Sequence, residues 1–279
     1  MYNTRIAPSP TGDMHLGTAR TAYFNWLAAR STGGKFYLRI DDTDKERSRE
    51  EYVHIIQEVM GWLDLDCETF RQSERIDRYN AVICTLLRCE VAGYRDNAVV
   101  LKPYGVADYW KDEIAGKVEI TEDDKEHCQG LVLRKSDGMP TYHFATVVDD
   151  HDYEINYVIR GHDHITNTSR QIAIYNALDW SVPQYAHVGL LAMGGKPLSK
   201  RDKASSILAY KQKGYHPEAV LNFMARLGWG PTVDDKTTKL LPREMMLELF
   251  LEGGKMRNSL ANIDLKKLDS FDRKYKARN

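Results

Sequence analysis

The chain has little of what would set it apart from an ordinary water-soluble protein, and each shortage excludes something. It has only four cysteines, Cys67, Cys84, Cys89 and Cys128, with no C-x-x-C pair among them. That spacing excludes a disulfide framework and a cysteine-based structural zinc site, and it fits reduced thiols in the cytoplasm. No apolar run approaches the length of a membrane span, and the N-terminus lacks the apolar core of a signal peptide. Neither sign of charge dominates: 39 Lys and Arg stand against 40 Asp and Glu, a net charge of −1. A nucleic-acid partner would therefore have to be met by local basic patches, not by a global field. Internal repeats and low-complexity segments are absent as well.

What remains is 279 residues, 42% hydrophobic and 28% charged, enough for one large domain with appendages and a sizeable core. The first twenty residues organise the rest. Thr4 to Ala7 reads as a short strand that Pro8 and Pro10 stop. Pro8 to Gly12 forms a turn, and a helix starts near Leu16, with Ala19, Ala22, Tyr23, Trp26 and Leu27 at helical spacing. Strand, glycine-containing loop and helix N-terminus make a ready phosphate site, because free backbone N–H groups and the positive end of the dipole face the ligand. His15 and Gly17 sit where that helix begins.

Lys35 to Ile40 reads as a second strand, Arg49 to Leu63 as an amphipathic helix and Glu74 to Val91 as another, an alternation that favours a parallel sheet covered by helices. Trp26, Trp62 and Tyr79 are read as core. Residues 93–137 break the rhythm with short β-like pieces and the acidic run Glu122 to Glu126, and read as an inserted β-rich subdomain. Thr141 to Arg160 returns to β character, Thr168 to Leu178 is helical, and Tyr185 to Leu191 is the last sheet strand. Beyond Ala204 everything looks helical: Ser206 to Lys213, Pro217 to Leu227, Pro242 to Leu251 and Leu260 to Leu268, before a basic end, Arg273 to Arg278. The expected division is 1–92 and 138–204 for the two halves of a Rossmann-type domain, 93–137 for the insertion and 205–279 for a helical domain.

Several stretches occur in order: Arg5-Ile-Ala-Pro-Ser-Pro-Thr-Gly12 with His15-Leu-Gly17, Arg39-Ile-Asp-Asp-Thr-Asp44, Tyr142 to Asp150, Val158-Ile-Arg-Gly-His-Asp-His164, Leu198-Ser-Lys-Arg201, Gly214 to Ala219 and Leu227-Gly-Trp229. Together they resemble the catalytic portion of glutamyl-tRNA synthetases, which are class I aminoacyl-tRNA synthetases. The resemblance covers nearly the whole chain and is weakest over 93–137. It implies an α/β fold with a Rossmann-type parallel sheet, a small β-rich insertion for the tRNA acceptor arm and a C-terminal helical stem-contact domain. It implies a cytoplasmic, monomeric glutamate–tRNA ligase that uses ATP with Mg²⁺, L-glutamate and tRNA, with no structural zinc and no membrane partner.

Residue by residue, the resemblance makes His15 and Lys200 catalytic. Ala7, His15, Gly17, Ser199 and Lys200 would bind ATP, Lys200 on a mobile loop that meets the α/β-phosphates. Arg5, Tyr142 and Arg160 would hold the substrate's side-chain carboxylate, because a guanidinium fork separates acid from amide. Ser9 and Asp41 would take its α-ammonium. Asp42 and Asp44 are read as structural, capping the following helix. His162 and His164 lack a third nearby ligand, so no metal is expected there. Lys266, Lys267 and Arg273 to Arg278 form a basic patch for tRNA or a solvated tail.

The chain departs from the pattern in places. Asp41 stands where bacterial relatives usually carry Glu, His162 where they commonly carry Glu, and Pro197 where the second signature usually begins with Lys. The insertion is short, and the anticodon-binding domain is expected to be missing. That pattern leaves two alternatives open: a glutamyl-queuosine-tRNA(Asp) synthetase, and a catalytically impaired tRNA-binding relative.

Overall fold

Pro8 and Pro10 end the first strand, β1 (Thr4–Ile6), after three residues, all of them buried. In the computed structural model, which describes residues 1–103, 107–197, 206–231, 240–252 and 254–278, the first half continues as α1 (Leu16–Ser31), β2 (Phe36–Ile40), α2 (Glu50–Trp62), β3 (Glu68–Arg71) and α3 (Ile76–Arg88). Then come β4 (Ala92–Arg95), β5 (Ala98–Leu101), β6 (Tyr109–Asp112), β7 (Gly116–Glu119), α4 (Glu122–Cys128) and β8 (Val132–Arg134). The second half of the sheet domain holds α5 (Tyr142–Asp152), β9 (Tyr157–Gly161), α6 (Ile165–Ala177) and β10 (Gln184–Val188).

β2 pairs in parallel with β1 on one side and β3 on the other. Across β1, the amides of Asn156 and Tyr157 donate to the Asn3 carbonyl at 3.2 and 3.3 Å, which sets β9 beside β1. β10 pairs in parallel with β9, and β6 in parallel with β10. Two sheets, β3-β2-β1 and β9-β10-β6-β7, thus meet edge to edge at β1 and β9, where the direction of travel reverses. In open α/β sheets ligands bind at the carboxyl ends of the strands flanking such a switch.

α1 packs against β1 and β9 on one side and two later helices on the other, so twelve of its residues are buried, Leu16, Tyr23, Phe24 and Leu27 among them. The turn after it requires Gly34, since a Cβ there would stand 1.9 Å from the Tyr2 carbonyl oxygen.

β11 (Leu191–Met193), β12 (Lys196–Pro197), α7 (Ile207–Gln212), α8 (Pro217–Ala225), β13 (Trp229–Pro231), α9 (Arg243–Glu252), β14 (Gly254–Met256), β15 (Ala261–Asn262) and α10 (Leu265–Lys276) complete the chain. Its buried residues, including Val220, Leu221, Phe223, Met246, Phe250 and Leu268, join the same core as α1 and β2. No helix among the described residues is long and apolar enough to cross a membrane.

Several expectations are corrected. Tyr142–Asp152 is a helix, not a strand: its β-branched residues mislead, while Phe144, Ala145, Val147 and Val148 form one buried helical face. β3 is absent from the sequence reading because Glu68–Arg71 has neither alternation nor an apolar run. The acidic run forms α4, capped by Thr121, whose Oγ1 accepts from the Asp124 amide at 3.1 Å. Within the expected insertion, β4, β5 and β8 form their own antiparallel sheet, whereas the β6–β7 hairpin joins the main sheet through β10. The C-terminal part is not wholly helical: β13 pairs with β14, and β15 with β11. The last helix begins at Leu265, where Asp264 caps it, and it takes in most of the basic end.

Candidate active site

A strand buried on both faces normally carries apolar residues only, yet β2 (Phe-Tyr-Leu-Arg-Ile) contains Arg39 at 1% exposure. Its charge is answered on every side. Nε and Nη2 donate to the two oxygens of Asp41 at 2.6 and 3.2 Å, Nη1 to Asp150 at 2.9 Å, and Nη2 also to Thr146 Oγ1 at 3.1 Å. Arg5, on the neighbouring β1, grips the same Asp150, Nε at 3.1 and 3.3 Å and Nη2 at 3.1 Å. Burial works against both guanidinium charges, but these carboxylates outweigh it and hold both groups above the ordinary arginine value. Burial pushes the Asp41 carboxyl up to about 6, with Arg39 opposing. Arg5 Nη1 makes no hydrogen bond to the described residues and is left for a ligand.

Arg160, on β9 across the switch from Arg5, has different company. It is 6% exposed, and its donors go to neutral acceptors: Nε to His187 Nε2 at 2.9 Å, Nη1 to Gln171 Oε1 at 2.8 Å and Nη2 to Thr168 Oγ1 at 2.7 Å. No carboxylate among the described residues forms an ion pair with it, and burial lowers its pKa. Arg5, Arg160 and the Tyr142 hydroxyl are close enough to act on one another electrostatically. Arg5 and Arg160 are thus both buried, while Tyr142 beside them is 38% exposed. His164 lies 6.3 Å from the Tyr142 ring, centre to centre, and burial lowers its pKa.

His15 begins α1, and its Nδ1 accepts from the Thr18 amide at 3.2 Å. Gly17 has a use beyond ligand approach: a Cβ there would stand 3.1 Å from Cε1 and Nδ1 of the His15 ring. Ser206 pairs with His15 as an isolated antiparallel bridge, which sets the start of α7 beside the α1 N-terminus. Ser199 and Lys200, expected at the ATP site, lie outside the described residues. Ala7 is half-buried and Ser9 exposed, both in the loop after β1.

Asp42 and Asp44 do not cap the following helix, which starts after Arg49 without a side-chain cap. Asp42 instead accepts from the Ser73 amide and hydroxyl, both at 2.8 Å, tying the end of β2 to the turn after β3; Asp44 holds Arg47 at 2.6 Å. No group of three or more His, Cys, Asp or Glu set to hold a metal is found among the described residues. Sequence reading missed Arg39, Asp150, His187 and Asp112 as members of this site. The available signal was an ionisable residue inside a largely apolar strand, true of Arg39 and of His187.

The fold is that of a class I synthetase catalytic domain: parallel strands with a switch point and a His-capped helix after the first strand. Residues 1–99 and 101–275 match the family of tRNA synthetases class I (E and Q), catalytic domain. The chain belongs to that family. It is 42% identical over 270 residues to a glutamate–tRNA ligase of Dichelobacter nodosus, an alignment covering 82% of this chain and 57% of that protein. A solved glutamate tRNA ligase from Elizabethkingia meningosepticum, in complex with its amino acid, superposes with a TM-score of 0.85 at 27% identity, over 100% of this chain and 70% of its own. A glutamate-tRNA synthetase from Elizabethkingia anophelis gives 0.83 at 28%, over 98% and 70%. The chain thus spans little more than half the length of the Dichelobacter ligase.

Proposed function

We propose that this chain activates L-glutamate with ATP and transfers the glutamyl group to the 3′-terminal adenosine of tRNA. The observation that carries the reading is Arg160, a buried guanidinium with only neutral hydrogen-bond partners, within electrostatic reach of Arg5 and Tyr142. A side-chain carboxylate placed there supplies the missing negative charge; an amide does not, which favours glutamate over glutamine. Asp41 and Ser9 receive the α-ammonium. The α-carboxylate then points toward the α1 N-terminus, where Ala7, His15 and Gly17 receive ATP, with Ser199 and Lys200 completing that site. A carboxylate oxygen attacks the α-phosphorus, pyrophosphate leaves, and a terminal adenosine hydroxyl then takes the acyl group from the adenylate. The protein's share of such chemistry is positioning and charge neutralisation. Mg²⁺ enters bound to the ATP phosphates and needs few protein ligands. The exposed basic residues Lys266, Lys267, Arg273 and Arg278 of α10 and its end meet tRNA phosphates, so binding weakens with salt.

The test is ATP–pyrophosphate exchange with glutamate, glutamine and aspartate, each with and without tRNA. Glutamate-specific exchange that needs tRNA supports the reading. Exchange without tRNA, joined to charging of queuosine-containing tRNA(Asp) alone, replaces it with the queuosine-modifying alternative. No exchange under any condition leaves a tRNA-binding protein.

A further inference from the structure

Arg160 is held by a chain of buried groups that reaches outside the binding pocket. Its Nε–H can only donate, so His187 Nε2, 2.9 Å away, must be the unprotonated ring nitrogen. The ring proton is then on Nδ1, where it is donated to Asp112 Oδ2 at 2.7 Å. Asp112 is 1% exposed and His187 0%, so neither contact is shared with bulk water. Asp112 is itself fixed: Oδ1 accepts from the amides of Ile114 and Ala115 at 2.9 and 2.7 Å, and Oδ2 also accepts from the His187 amide at 3.1 Å. It stands at the end of β6, on the hairpin that joins the sheet beside β10.

We infer that Asp112 is a positioning residue for the substrate carboxylate: it sets the tautomer of His187, and through it the orientation of the Arg160 fork. This deepens the glutamate reading and rests on it. The bland role for Asp112 is to staple β6 to β10 through the His187 amide. The two roles differ in one respect: only the first depends on which ring nitrogen carries the proton.

His187→Leu and His187→Gln, which leave Asp112 and its bond from the His187 amide in place, separate them, and Asp112→Asn reads the tautomer. Two amides pin Oδ1, so the replacement's NH₂ occupies the position of Oδ2, where it donates to His187 Nδ1 and gives up the bond that Oδ2 accepts from the His187 amide. The ring proton is driven to Nε2, and N–H faces N–H across the Arg160 contact. The substitution is expected to switch the ¹⁵N signature of His187 from the Nδ1–H to the Nε2–H tautomer. KM for glutamate should rise about ten- to a hundredfold, the usual cost of an unmade bond to a buried charge, while KM for ATP stays within about twofold. His187→Leu is expected to reproduce the loss, and His187→Gln, whose Oε1 can accept from Arg160, to restore most of it. An unchanged KM for glutamate in Asp112→Asn overturns the inference. So does a parallel rise in both KM values with a fall in melting temperature, or equal losses in His187→Leu and His187→Gln. A wild-type chain that activates no glutamate, with or without tRNA, fails the glutamate reading itself, whatever the tautomer shows.

Discussion

Arg39 closes on Asp41 with two contacts, 2.6 and 3.2 Å, from two residues earlier at the end of the same strand. The carboxylate is thereby oriented but not neutralised as an acceptor, since each oxygen keeps lone pairs for a second donor. Burial still costs it charge, and its pKa rises from 3.8 to about 6. As pH falls through 6 the carboxyl takes up a proton and an α-ammonium loses its partner. KM for glutamate is therefore expected to climb on the acid side of about pH 6, while that of ATP stays flat. The substrate's own side-chain carboxylate remains ionised until about pH 4.3 and contributes nothing there. Asp41→Asn should show a high KM without that acid limb; steady-state kinetics between pH 5 and 8 check it.

Asp150 serves both Arg5 and Arg39 at 2% exposure. Removing it leaves Arg5 buried without its counter-charge, while Arg39 keeps Asp41, and a buried charge so stranded typically costs about 3–5 kcal/mol. Asp150→Ala is expected to lose stability on that scale in urea titrations monitored by circular dichroism. A loss below about 1 kcal/mol would mean that water or another acid compensates.

Arg5 turns one edge to Asp150 and leaves Nη1 for a ligand. Arg5→Gln is expected to cut kcat/KM for glutamate by about a hundredfold, in line with a lost charge-assisted pair, and to narrow the margin over glutamine. An undiminished preference for glutamate in competition assays would remove Arg5 from the pocket.

Gly17 sits against the His15 ring, where an added Cβ would approach to 3.1 Å. In Gly17→Ala the ring has to move and the cap bond to the Thr18 amide weakens, a loss of about 1 kcal/mol. The helix propensity gained is of similar size, so the two nearly cancel in stability. The melting temperature is expected to change little while KM for ATP rises about tenfold and that for glutamate stays put. A shifted glutamate KM would place His15 at the wrong end of the site.

Much of this protein is legible without its fold. The Pro8–Gly12 turn, the helix from Leu16 and the strand ending in Arg39-Ile-Asp41 follow from local propensity and periodicity, because those forces act between near neighbours in the chain. The motif order alone pointed to class I synthetases, and the chain does match the catalytic domain of the E and Q family. Local pattern failed where tertiary context overrides it. Tyr142–Asp152 has β-like composition but folds as a helix whose carboxylates, Asp149 and Asp150, are drawn to buried arginines.

The opening stretch was legible as a phosphate cradle, and resemblance added glutamate-binding roles for Arg5 and Ser9. Which partners each charge would have was decided by the fold. Arg5 and Arg39 share an aspartate 145 and 111 residues away in the chain, and Asp112 reaches Arg160 only through His187, 75 residues beyond it. Sequence patterns record which side chains face the core; a buried charge must find its counter-charge wherever the chain crossings bring one within about 3 Å, and that is a property of the packed sheet alone.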